Sequence, residues 1–95
     1  VILAIDPGPT QSAWCYWEGE KLPLRFGLAP NEDVLLMLRL APQTDTPDRW
    51  VLVIEQMCSY GMRVGREVFD TVYWSGRFHQ AWGGRVRLIP RLAVK

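Results

Sequence analysis

Asp6 closes the apolar run Val1-Ile2-Leu3-Ala4-Ile5, and Glu55 closes the apolar run Val51-Leu52-Val53-Ile54. A carboxylate at the end of such a run is unusual, because burying an unpaired charge costs several kcal/mol and acids are mostly exposed. Asp6 is followed by Pro7-Gly8-Pro9-Thr10 and Glu55 by Gln56. Each acid therefore stands where a buried strand opens into a loop, a favoured place for site residues in an α/β sheet. Either acid alone could simply start a turn or stop a strand. Two together supply hard oxygen ligands of the kind that Mg²⁺ takes, with phosphate oxygens and waters completing the shell.

The surrounding residues carry a resemblance. Ile2-Leu3-Ala4-Ile5-Asp6-Pro7-Gly8 resembles the opening strand of the RuvC-like Holliday junction resolvases, and Ile54-Glu55-Gln56 is similar to their second catalytic strand. That group belongs to the ribonuclease H-like superfamily, which cuts nucleic acid with a two-metal carboxylate site. The resemblance runs from the first residue to the last. It implies an α/β fold, a ribonuclease H-like mixed five-stranded sheet flanked by helices. Residues 1–95 are expected to form one truncated nuclease domain whose C-terminal helix is missing.

The resemblance also implies an activity, metal-dependent endonucleolytic hydrolysis of branched DNA in recombination and repair, with Mg²⁺ or Mn²⁺ as cofactor. Asp6 is expected to bridge two ions about 3.5–4 Å apart, and Glu55 to bind one; one ion orients the attacking water while the other stabilises the leaving oxygen. Gly8 is expected to let the backbone approach substrate. Thr10, Gln11 and Ser12 are expected to line the first loop against the nucleic acid. The stretch Arg91-Leu92-Ala93-Val94-Lys95 is similar to the family's basic segment after the fifth strand, which makes Lys95 the candidate phosphate-binding lysine. The family's junction-wedging aromatic aligns with Cys58, and Tyr60 is the nearby aromatic able to substitute. Two further acids on a C-terminal helix complete the family's site. Glu67 and Asp70 have the right spacing but are expected to face solvent, so the chain reads as an inactive piece of a longer nuclease.

Two other readings use the same residues. Asp6-Pro7-Gly8-Pro9-Thr10 also resembles the Asp-x-Gly-x-Thr phosphate loop of actin-like and sugar-kinase ATPases. Alternatively, the chain is a nuclease-like fold kept as a non-catalytic nucleic-acid-binding or assembly module.

Net charge is only +1, but it is unevenly distributed. Acids outnumber cations before residue 63, whereas Arg63, Arg66, Arg77, Arg85, Arg87, Arg91 and Lys95 stand against Glu67 and Asp70 afterwards. Arginine suits bidentate phosphate contacts. Arg63, Arg66, Arg91 and Lys95 are the candidate backbone contacts, with a solvated basic face as the bland alternative.

The elements that must position these groups follow the order β-β-β-α-β-α-β. Strands are expected at residues 1–6, about 11–18 and about 22–29, the last two joined by a Glu-Gly-Glu-Lys turn. Pro30-Asn31-Glu32-Asp33 starts a helix that ends before Pro42. Residues 49–55 read as a central strand covered on both sides. A long helix follows from about Val64 to Trp82, in which Val68, Phe69, Val72, Tyr73 and Gly76 have the spacing of a buried stripe. Trp74, Phe78 and Trp82 form a second stripe, read as core or, alternatively, as a homodimer contact. Gly76 costs a helix about 1 kcal/mol relative to Ala, so close approach to another element is its expected justification. Arg85–Ile89 alternates as a strand near a sheet edge.

Nearly half the chain is apolar (48%). Its length accommodates one modest core, and no run is long enough to span a bilayer. With no targeting segment visible, a soluble cytoplasmic protein without membrane contact is expected. Cys15, Cys58 and His79 lack zinc-ligand spacing, and the cysteines read as free thiols, a disulfide remaining open.

Overall fold

Strand-forming alternation and helical periodicity resolve into seven elements in the computed structural model, which describes residues 2–18, 25–40, 50–57 and 65–90. They are β1 (Ile2–Asp6), β2 (Gln11–Trp17), β3 (Arg25–Pro30), α1 (Asn31–Leu40), β4 (Val51–Gln56), α2 (Arg66–Ala81) and β5 (Arg85–Pro90). The expected element order holds. The chain is an α/β protein built on one mixed five-stranded sheet, ordered β3-β2-β1-β4-β5. β1, β2 and β3 pair antiparallel in succession, while β4 lies parallel to both β1 and β5. Parallel neighbours need a crossover connection, which α1 and α2 provide.

Period-two alternation divides each strand between two faces. Leu3 and Ile5 of β1 and Leu52 and Ile54 of β4 are buried against Val34, Leu35 and Leu38 of α1, Phe78 of α2 and Trp82 just beyond it. Both helices thus lie on one face of the sheet. Across that face, Trp14 of β2 covers its cross-strand partner Gly27, where a Cβ would stand 2.9 Å from the indole nitrogen. Burial of a side chain such as Phe78 contributes about 1.5–3 kcal/mol.

Two expectations are corrected. β4 is central in strand order, but among the described residues helices cover only one of its faces; Val51 and Val53 on the other are half-buried. The second correction concerns α2. Its buried residues are Thr71 and Phe78, while Phe69, Val72 and Tyr73 of the expected inner stripe are 66%, 51% and 62% exposed. Trp74, Phe78 and Trp82 face the sheet instead. Two apolar stripes compete on this helix, and the one with the larger rings fills the core. Thr71 and Ser75 can go inside with it because their hydroxyls donate to the carbonyls of Glu67 and Thr71 at 2.8 and 2.9 Å. Gly76 is turned outward with the displaced stripe, and a Cβ there would meet nothing within 4 Å.

Cys15 is a free thiol, and Cys58 lies outside the described residues. Among the described residues no helix is long and apolar enough to cross a membrane.

Candidate functional site

The register of β1 against β4 pairs Ile5 with Ile54. One step further along both strands come Asp6, the last residue of β1, and Glu55, the last but one of β4, so the acids stand at the same end of neighbouring parallel strands, whose backbones are about 4.8 Å apart. Ile5 and Ile54 point at the helices, so alternation sends Asp6 and Glu55 to the opposite, helix-free face. Both line a single cavity of about 210 Å³ with Ala13, Cys15, Val53 and Ile89. Asp6 is exposed and Glu55 half-buried. Their rims are apolar, which lowers the local dielectric and strengthens attraction for a cation.

The loop leaving Asp6 is held by a buried polar cluster. Ser12, 1% exposed, donates its hydroxyl to Oδ1 of Asn31 at 2.5 Å and accepts from the Gly8 amide at 3.2 Å. Asn31, 2% exposed, donates from Nδ2 to the Gly8 carbonyl at 3.0 Å, and its amide donates to the Thr10 carbonyl at 3.0 Å. A Cβ at Gly8 would collide with the Gln11 carbonyl oxygen, so the fold itself requires glycine there. Asn31 was not among the sequence-derived site residues. Its signal was available in its place at the head of a helix, where Asn commonly satisfies backbone groups.

The other sequence-derived residues are placed unevenly. Thr10 and Gln11 are exposed beside Asp6, but the Ser12 hydroxyl is engaged inside the loop and positions it. Arg66 begins α2, its side chain 93% exposed and 3.8 Å from Asp70, on the helix-bearing face. Glu67 is exposed as expected. Tyr60, Arg63, Arg91 and Lys95 lie outside the described residues, as does Cys58. Among the described residues, the cations sharing the acids' face are Arg85 and Arg87, paired in register with Val51 and Val53. Ile89, the next residue on that face, stands beside Glu55.

Among the described residues no group of three or more His, Cys, Asp and Glu is poised to hold a metal. Two carboxylates nevertheless match the protein share of a Mg²⁺ shell, in which water and phosphate oxygens supply the rest. Tyr16 donates to Glu18 at 2.8 Å, and that bond, helped by desolvation and by the carboxylate's charge, raises the phenol above its ordinary value of 10.0.

Comparison with protein-family models and with curated proteins finds no match for this chain.

Proposed function

We propose that this chain is the N-terminal part of a RuvC-like, ribonuclease H-like endonuclease that cleaves branched DNA with divalent metal. The observation that carries the reading is the placement of Asp6 and Glu55 at the ends of adjacent parallel strands, on the same face and in the same cavity. The sheet order and the mixed pairing support the fold assignment, since both strands proposed to be catalytic are neighbours at its centre.

Asp6 and Glu55 are the residues that would hold Mg²⁺ or Mn²⁺, which when bound supplies Lewis acidity and a water acidified enough to act as nucleophile. The chain's own contribution is positional. Asp6 stays at the strand end because the Ser12–Asn31–Gly8 cluster fixes the loop that follows it. Thr10 and Gln11 flank the site on that loop. Arg85 and Arg87 offer guanidinium groups along the same face, suited to the phosphates of a strand running away from the acids.

The test is a pair of measurements on the intact protein. Cleavage of a four-way DNA junction is expected with Mg²⁺ or Mn²⁺ and is expected to vanish in Asp6→Asn and Glu55→Gln. Melting temperature is expected to rise with Mn²⁺ and not with ATP. A rise with ATP instead would favour the actin-like ATPase reading. Junction binding that neither metal nor the two substitutions convert into or remove from cleavage would leave the non-catalytic binding module.

A further inference from the structure

At the end of the sheet away from the acids, aromatic rings gather on the helix-bearing face. The strand registers set Leu3, Tyr16 and Arg25 in one row across β1, β2 and β3, and place Trp14 beside Gly27 in the next row that faces the helices. Trp50 stands two residues before Leu52 and so shares that face, and Met37 reaches it from α1. These residues line a cavity of about 510 Å³, within the range of about 300–1,000 Å³ that small-molecule sites occupy. Trp14, Tyr16, Met37 and Trp50 are half-buried and Arg25 is exposed. The cavity thus has an apolar floor, aromatic walls and one guanidinium at its rim.

We propose that this cavity binds a planar aromatic monocarboxylate, its ring against Trp14 and Trp50 and its carboxylate on Arg25. The ring is called for by the walls, since aromatic faces and edges pair best with another π-system. The negative charge is called for by Arg25, which has no ion-pair partner among the described residues and whose planar fork matches a carboxylate with two parallel hydrogen bonds. Glu18 limits that charge to one. It accepts from the Tyr16 hydroxyl at 2.8 Å, so a carboxylate already stands at the cavity wall and repels a phosphate carrying two charges more than it repels a monoanion. The same bond occupies the phenol and leaves Tyr16 to offer its ring.

The rings are held in place for such a ligand. A Cβ at Gly27 would stand 2.9–3.1 Å from three atoms of the Trp14 indole, so glycine is what lets that ring lie against β3. Tyr16 and Trp50 are inclined at 49° with centroids 5.3 Å apart, and Trp50 leans in turn on Trp82 at 6.4 Å. The indole nitrogen of Trp82 is buried without a hydrogen-bond partner, a cost that a cluster serving only the core would shed. Leu3 is three residues from Asp6, about 10 Å along β1, and faces the other way. The cavity is therefore separate from the acids, and its ligand does not depend on their metal.

Isothermal titration calorimetry of the full chain with indoleacetate and naphthoate tests the proposal. Each is expected to bind at one site per chain. Tryptamine, which keeps the indole ring and replaces the carboxylate by an ammonium, is expected to bind ten-fold or more weakly than indoleacetate, and adenosine monophosphate is expected to bind more weakly as well. Arg25→Glu changes an exposed side chain and is expected to keep the circular dichroism and melting transition, to lower indoleacetate affinity ten-fold or more and to turn the preference towards tryptamine. Asp6→Asn is expected to change none of these affinities. A chain that binds neither acid overturns the proposal. So does equal affinity for tryptamine, tighter binding of adenosine monophosphate, or indoleacetate binding that Arg25→Glu leaves unchanged.

Discussion

Asp6 and Glu55 follow Ile5 and Ile54, which are paired in register on adjacent parallel strands, so one step of the pleat turns both carboxylates away from the core together. The two isoleucines are 2% and 0% exposed and anchor that step. A slip of β4 by one residue would send Glu55 into the helix layer and Ile54 to the open face. The register that buries the core is thus the register that assembles the site.

Metal linkage should expose this relationship directly. At Mn²⁺ ten-fold above its dissociation constant, one site raises stability by about 1.4 kcal/mol, which for a domain of this size is about 6–11 °C in melting temperature. Asp6→Asn and Glu55→Gln should each remove most of that shift, measured against the metal-free melting temperature of the same variant. A shift that survives both substitutions places the metal elsewhere.

The loop behind Asp6 makes a separate prediction. Asn31→Ala removes the acceptor of the Ser12 hydroxyl proton and the side-chain donor to the part-buried Gly8 carbonyl, and each group left unpaired costs about 1–3 kcal/mol. A destabilisation of about 2–6 kcal/mol is expected in urea unfolding, together with faster amide exchange at Gly8. An effect within 0.5 kcal/mol, typical of surface changes, would mean that water replaces the cluster without loss.

Much of this architecture was legible in the residues, and the reason differs by element. β1 and β4 announced themselves as apolar runs ended by acids, and α1 by Asn31-Glu32-Asp33 at its head. α2 was found but turned the wrong way, because Phe69, Val72 and Tyr73 are as apolar as Trp74, Phe78 and Trp82, and periodicity does not say which stripe meets the sheet. The choice was made by ring size and by hydroxyls of Thr71 and Ser75 that satisfy themselves on their own helix. The role of Asn31 was hidden for another reason. Its partners, Gly8 and Ser12, are distant in sequence and adjacent only once β2, β3 and α1 have folded.

The orientation of α2 can be checked by two truncations of the same residue type. Phe78→Ala empties a site that is 0% exposed and should cost about 3–5 kcal/mol. Phe69→Ala, at a position 66% exposed, should change stability by no more than about 0.5 kcal/mol. The reverse ranking would restore the inner stripe read from periodicity.

Tyr16 provides a pH signature. Its hydrogen bond to Glu18, with smaller contributions from desolvation and the carboxylate's charge, raises the phenol above 10.0, so the folded chain keeps this proton to higher pH than the unfolded chain. The stabilisation it brings is therefore full below pH 10.0 and is lost as pH rises through the folded-state value. Alkaline titration of phenolate absorbance should show one late-ionising tyrosine, absent in Tyr16→Phe and moved towards the ordinary value in Glu18→Gln. Unchanged titration in both variants would show that the bond does not persist in solution.

The face on which the arginines lie decides the last prediction. Arg85 and Arg87 share the side of the sheet occupied by Asp6 and Glu55, whereas Arg66 starts α2 on the other side. If DNA approaches the acids, phosphates reach the first two and not the third. Binding of a four-way junction should then weaken with salt, log affinity falling by about 0.9 per unit of log salt for each phosphate neutralised. Arg87→Ala and Arg85→Ala should each lower affinity across sequences and make that slope shallower by about one unit. Arg66→Ala should leave both unchanged. Asp6→Asn should abolish cleavage and leave binding intact or stronger, because it removes a negative charge facing the phosphate backbone. Equal effects of Arg66→Ala and Arg87→Ala would mean that the charge acts diffusely and that no strand of DNA lies along β5; an effect of Arg66→Ala alone would move the nucleic acid to the helix side.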